Sequence, residues 1–301
     1  MTVQIMDMQA ALGFVVSQRS HIETEVLRKP YPAIRYAELI PIDTSANPFA
    51  ASVTHFSQDS VGKAKFVNGK GDDIPLVNML RQKFEQGVNM AGIGYSFSLE
   101  EIGAAQHLGQ NLSGDGAEAA RMAYEQLVDE VAFNGDTQLG IEGLYNMTGI
   151  TSSAAGATFA ASTPQVILSI INTALSGIMT STLGIEMADT IVLPLAEYAR
   201  IATTQLAPES DVTVLDFVRR ANVYTTQTGQ PLTIVGDRRL TTKMVVYRRD
   251  PQVLKMHMPM PLRFIAPQAV NLEIKVLGMF RFAPVNIRRP GAVRYITGIA
   301  A

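Results

Sequence analysis

The chain has 301 residues, with 27 acidic and 25 basic side chains, a net charge of −2 and a pI near 6.1. The absence of cysteine excludes disulfides, thiolate nucleophiles and Cys-type zinc sites, and the near-neutral charge argues against a dedicated nucleic-acid binder, which needs clustered Lys and Arg. Charged residues make up only 17%, below the usual level of about a quarter, so either the core is large or some surface is covered by partners.

Residues 1 to 35 read as an arm. Met8, Leu12, Val15 and Val16 suit a short helix, which Arg28-Lys29-Pro30-Tyr31-Pro32 stops, because closely spaced prolines favour an extended path. No signal peptide is expected, since Met1 to Ser17 lacks a basic start and carries Asp7. A long hairpin follows between 50 and 90. Val53-Thr54-His55-Phe56 alternates as a strand, Gln58-Asp59-Ser60 turns, Lys63 to Val67 alternates again, and Asn68-Gly69 is a tight-turn signal. Lysines on such strands guard against edge pairing. A two-stranded ribbon is marginal alone in water, so this one is expected to lie on something else.

Ser98-Leu99-Glu100-Glu101 is a capping box that opens a helix running to about His107. A second, long helix spans 116–134. Its apolar face is Ala120, Ala123, Tyr124, Leu127, Val128 and Val131, and Asn134-Gly135 ends it. Thr148 to Ser162, rich in Gly, Ser and Ala, reads as a loop. Thr163-Pro164 then opens a helix that carries no charge through Ile185. That stretch has membrane-spanning length. Its seven Ser, Thr and Asn residues, from Ser169 to Thr182, and its helical apolar stripe identify a soluble amphipathic helix instead. Thr190 to Leu193, Leu232 to Val235 and Lys243 to Tyr247 are expected strands. Ala196 to Thr203 and Thr213 to about Asn222 are expected helices. From Met244 to Ile299 the chain alternates as strands broken by prolines and threaded by Arg248, Arg249, Arg263, Arg281, Arg288, Arg289 and Arg294.

Chemistry is hard to find. His21, His55, His107 and His257 are far apart and form no metal-ligand spacing. Gly69-Lys70-Gly71 and Gly92-Ile93-Gly94 lack the rest of a phosphate loop. Gly114-Asp115-Gly116 precedes a helix that could hold an anion, though Asp115 reads better as its cap. Glu100 and Glu101 are adjacent on a helix and cannot face each other as a dyad. Asp72-Asp73 falls in an expected turn. The arginines of the closing strands, unclustered, suit ion-pair anchors to acids of a neighbouring chain. No catalytic, metal or cofactor site is expected.

The order of parts is an arm, a lysine-bearing hairpin, a long helix, a mixed lobe and returning strands. It resembles the major capsid proteins of tailed bacteriophages, with the Hong Kong 97-type α+β fold. Several segments carry the resemblance: Asp59-x-x-Gly62-Lys63-Ala64 with Asp73-Ile74-Pro75; Tyr95 to Glu100 followed by Gly114 to Asp136; Phe133-Asn134-Gly135-Asp136 with Gly140 to Asn146; Tyr247 to Pro251; Pro267-Gln268; and Pro284 to Pro290. It covers the chain from about residue 35 onward.

The resemblance implies an N-terminal arm and lead-in at 1–49 and an extended E-loop with its flanks at 50–94. It also implies a P-domain at 95–162 with the spine helix, a mixed A-domain at 163–243, and closing strands at 244–301 that return through the P-domain. It implies self-assembly into pentamers and hexamers of an icosahedral shell around double-stranded DNA, bound without sequence preference and with no membrane. Separate scaffolding, portal and decoration proteins would be partners. With no room before the arm, scaffolding is expected to be separate or already trimmed. Some relatives cross-link a lysine to an asparagine. Lys63, Lys65 and Lys70 lie in the right region, but no motif marks such a bond and none is expected. These lysines, with Arg248, Arg249, Arg288 and Arg289, are the expected intersubunit contacts. An encapsulin-type nanocompartment shell and a small-molecule-binding enzyme are the alternatives.

Overall fold

Residues 190–194 and 243–247 are nearly unbroken apolar runs, the pattern of strands buried on both faces, and they form the centre of the molecule. A computed structural model of the protein describes residues 31–66, 74–108 and 112–300, with backbone alone at 104–108 and 112. The described residues from Ile34 onward form one compact unit, and the short arm helix expected around Met8 to Val16 lies outside the described residues.

The chain begins with helix α1 (Tyr36–Leu39) and strands β1 (Ile42–Asp43), β2 (Ser52–Val61), β3 (Asn78–Gly87) and β4 (Asn89–Ser98). Helices α2 (Leu99–Leu108) and α3 (Leu112–Asn134) follow, then β5 (Thr151–Ala154) and α4 (Pro164–Ser181). Next come β6 (Thr190–Pro194), α5 (Leu195–Thr203), α6 (Val214–Arg220), α7 (Val223–Thr228), β7 (Thr233–Asp237) and β8 (Lys243–Tyr247). The chain closes with β9 (Leu254–His257), β10 (Met260–Phe264), β11 (Gln268–Val270), β12 (Glu273–Phe282), β13 (Val285–Ile287) and β14 (Val293–Thr297).

A five-stranded sheet, ordered β5-β14-β8-β6-β7, separates two cores. Alternation along its strands sends Ile191, Leu193, Met244, Val246 and Ile296 to one side, against Ile167, Ile171, Leu175 and Ile178 of α4. The intervening Val192, Val245, Tyr247, Val293 and Tyr295 go to the other side, with Tyr124, Val128 and Val131 of α3. A slip of one residue would exchange the two sets, so burial on both faces pins the register. The expected loop at 148–162 contributes to this sheet: Thr151–Ala154 pairs in parallel with Arg294–Thr297. Its small polar residues gave no strand signal because edge pairing uses the backbone alone.

The second large sheet rests on β12, which pairs over ten residues with β4 and carries β10 and β11 on its other edge. The capping box forms as expected. The Ser98 and Glu101 backbone N–H groups donate to the opposite side chains at 2.8 and 3.1 Å. Helix α3 starts at Leu112, not Gly116, so Asp115 lies inside its first turn and is not its cap. Its buried arc turns toward Asp129 and Ala132, leaving Leu127 on the rim at 41% exposure. The short helix expected from Thr213 to near Asn222 forms as α6 and stops at Arg220, and Asn222 caps a further helix, α7, by accepting from the Thr225 N–H at 2.8 Å. An asparagine after a helix suits a stop and a start equally.

The segment after α3 is a reciprocal cap. Gly135 ends the helix at φ 74°. The chain then returns so that the Leu144 and Tyr145 N–H groups donate to the Ala132 and Phe133 carbonyls, both at 2.9 Å. Asn146 donates to the Asn134 carbonyl at 2.8 Å. Three helix-end carbonyls are thereby satisfied. The approach is so close that a Cβ on Gly143 would stand 2.3 Å from the Phe133 oxygen. Gly143→Ala is therefore expected to destabilise the subunit by more than about 1 kcal/mol, since no local shift relieves a backbone clash. A urea midpoint equal to wild type would refute this.

Candidate subunit interface

The hairpin is built differently from its expected form. Ser52–Val61 is one continuous strand through Gln58-Asp59-Ser60, and its partner is Asn78–Gly87, with Ser52 opposite Gly87 and Val61 opposite Asn78. The described residues 62–66, with Lys63 and Lys65, lie beyond the pairing and are exposed. Asn68-Gly69, Lys70 and Asp72-Asp73 fall outside the described residues. Alternation misplaced the strands because neither face of this ribbon is buried in the chain, so burial does not select a register. Cross-strand contacts do so instead: His55 stacks on Phe84 at 5.2 Å, Arg81 Nε donates to Gln58 at 3.1 Å, and Ser52 donates to Glu85 at 2.6 Å.

This ribbon and its loop expose Phe56, Val61, Phe66, Ile74, Leu76, Val77, Met79, Leu80 and Phe84. It is held at its base. The Val88 N–H donates to the Ala51 carbonyl at 2.9 Å, Gln86 Nε2 to the Pro284 carbonyl at 2.9 Å, and Arg281 to the Pro48 carbonyl at 3.1 Å. Between the base and the closing strands lies a cavity of about 660 Å³, lined in part by His55, Phe84, Met147, Ile287, Arg288 and Pro290.

The expected contact arginines are now placed. Arg248 and Arg289 converge on one carboxylate of their own chain, Glu186, which is itself buried. Sequence spacing gave no sign of this clustering, because the two are brought together by β8 and by the turn before β14. Arg249 reaches the Ala37 carbonyl at 3.3 Å. Arg288 faces the cavity; its Nε is buried without a hydrogen-bond partner among the described residues, and burial holds the guanidinium below its ordinary value. Nearby, Asp43 pairs with Lys255, which with Ser45 holds that carboxyl well below the usual range. His257 is buried beside them. Burial, with Lys255 close by, pulls its imidazole down, so its 3.5 Å approach to Asp43 is not a charge pair at neutral pH.

One centre was not foreseen. Arg239 is buried between Asp129 of α3 and Asp237 of β7, with Glu130 at 3.2 Å and the Phe133 ring 5.1 Å below. Burial opposes its charge, yet the two aspartates outweigh it and hold Arg239 above its ordinary value. Asp129 also accepts from the Arg35 and Tyr36 N–H groups at 3.0 and 2.9 Å, and Asp237 accepts from the Tyr145 hydroxyl at 2.9 Å. The network ties the spine helix, the lead-in, the capping loop and the central sheet together. The only sequence signal was an ordinary Gly-Asp-Arg-Arg turn. Among the described residues no three His, Asp or Glu side chains gather into a set suited to a metal ion. No helix there is long and apolar enough to cross a membrane.

A mixed α+β body carries a long ribbon whose two faces the described residues of its own chain leave uncovered. Residues 62–299 match the family model described as major capsid protein, and the chain belongs to that family. Its fold is that of solved phage capsids, the Hong Kong 97 type. The capsid of Myoviridae phage XM1 is 20% identical with a TM-score of 0.79, covering 94% of this chain and 97% of that one. Gordonia phage Cozz gives 13% and 0.62, covering 99% and 96%. The virus-like particle from Pyrococcus furiosus gives 13% and 0.52, covering 86% and 91%. No curated protein is similar enough in sequence to count as a relative.

Proposed function

We propose that the protein assembles into pentamers and hexamers of an icosahedral shell enclosing double-stranded DNA, as the wall of a tailed-phage virion put together in the host cytoplasm. The ribbon carries this reading: nine large apolar side chains stand in water on and beside a two-stranded element that is held at its base but whose faces the described residues of its own chain do not cover. Covering each one in an assembly is worth about 1.5–3 kcal/mol at full burial. Many modest contacts spread over several neighbours give a wall that is stable as a whole and correctable piece by piece. In this reading 95–162 and 244–301 form the peripheral P-domain and 163–243 the A-domain. Scaffolding, portal and decoration proteins act as separate partners.

Electron microscopy of the purified protein tests it. Large icosahedral particles, able to hold DNA, support the virion wall. Small particles packed with protein would favour a nanocompartment, and material that stays monomeric at high concentration would exclude both. Lys63, Lys65, Lys70, Arg248, Arg249, Arg288 and Arg289 are assigned to intersubunit contacts. Arg288→Ala and Arg289→Ala are each expected to lower particle yield in sedimentation assays while leaving a folded subunit. Unchanged yield and particle stability in both would remove the arginines from the interface.

A further inference from the structure

Of the four arginines expected at the interface, three are engaged within their own chain. Arg248 and Arg289 hold Glu186, and Arg249 donates to the Ala37 carbonyl at 3.3 Å. Arg288 differs. Among the described residues its guanidinium has no ion pair and no hydrogen bond, and its Nε is buried. The acids near it are taken. Asp43 pairs with Lys255 and accepts from Ser45 at 2.6 Å. Glu85, on the cavity wall, pairs with Lys83 at 3.0 Å and accepts from Ser52 at 2.6 Å. Burial pulls the Arg288 guanidinium down with only Asp43 opposing it. A guanidinium stays charged all the same, so the cavity wall carries a cation drawn partly out of water, which costs stability until a counter-charge reaches it.

The cavity gives that counter-charge a shape. Its volume of about 660 Å³ is that of a small-molecule pocket. One wall belongs to the ribbon, where His55 stacks on Phe84 at 5.2 Å. Burial, with Arg288 close by, pulls the His55 imidazole down, so it presents a neutral ring. The other wall belongs to the closing strands, where Val285, Ile287 and Pro290 stand around Arg288. We propose that this cavity binds an organic carboxylate with an aromatic body, the carboxylate held by the Arg288 guanidinium and the ring laid against His55 and Phe84. The planar fork of an arginine suits two parallel bonds to a carboxylate. A small hydrated anion such as phosphate would lose water against the apolar walls and gain only one cation. The site stands independently of the shell reading. Its ligand touches the ribbon on one side and the closing strands on the other, so it braces the ribbon at its root.

Titration calorimetry on the purified full chain tests this, with N-acetyl-phenylalaninate as the probe and N-acetyl-phenylalaninamide as its uncharged match. The acid is expected to bind at a single site per chain with a Kd of about 1 mM or tighter. The amide should bind at least about tenfold more weakly. A third probe, 3-phenylpropionate, lacks the peptide unit and separates two sources of the same chemistry. Equal affinity assigns the site to free aromatic acids, and weaker affinity assigns it to the C-terminal end of a peptide; both support the site. Arg288→Gln should weaken binding of the acid at least about tenfold, and Arg288→Lys should recover part of the loss. A wild-type Tm for these variants separates lost binding from lost folding. The comparison of acid with amide needs no variant, so it decides the matter even where Arg288→Gln does not fold. Equal affinity for acid and amide, unaltered binding in a folded Arg288→Gln, or inorganic phosphate binding as tightly as the aromatic acid would overturn the proposal.

Discussion

Excising residues 52–87 and joining Ala51 to Val88 through a short glycine linker is expected to leave a folded subunit that forms no shells. The Ala51 carbonyl and the Val88 N–H are already hydrogen-bonded at 2.9 Å, so the junction needs little rearrangement. Neither core contains a ribbon side chain, and what is lost at the base is chiefly the Gln86 bond to Pro284 and the His55 approach to Asn286. Changes of that kind usually stay near about 0.5 kcal/mol each. A thermal melt should therefore remain close to wild type while sedimentation shows only small species. The strand pairing decides where to cut: a deletion from Val53 to Ile74 would remove β2 and leave β3 without its partner. Normal shells from the ribbonless subunit would sink the intersubunit role.

Arg239→Ala is expected to have the largest effect on folding. The arginine side chain is 4% exposed, and its partners Asp129 and Asp237 are 2% and 1% exposed. Truncation leaves two carboxylates facing each other out of water. Breaking a buried network from one side costs about 3–5 kcal/mol, a large part of the roughly 5–15 kcal/mol that holds a domain together. Low solubility or a much reduced urea midpoint should follow. Arg239→Lys should recover part of the loss, because it restores the charge without the planar fork. A loss under about 1 kcal/mol would show that the network is incidental.

Much of the body could be read in advance because burial writes a period into the sequence. The helix from Pro164, the capping box at Ser98, the glycine stop at Gly135 and the strands at 190 and 243 are cases where local chemistry and the eventual packing agree. The ribbon is the opposite case. With both faces in water, its alternation constrained nothing, and its second strand begins at Asn78, well past the expected position. The edge strand at 151–154 escaped for a related reason, since its pairing to β14 is written in backbone groups and not in side chains.

The arginines show the limit most clearly. The presence of Arg248 and Arg289 in the closing strands was plain, but the carboxylate they share, Glu186, lies far away along the chain, and Arg239, which lies before those strands, meets the equally distant Asp129. Sequence alone determined the elements whose apolar period faces a core, the lack of thiol chemistry, and a composition suited to a partnered surface. Only tertiary structure decided which charges meet, which register an uncovered ribbon adopts, and which arginine faces a cavity with no ion pair among the described residues. Those outcomes depend on contacts between distant segments, and a local pattern carries no information about a partner it has not yet met.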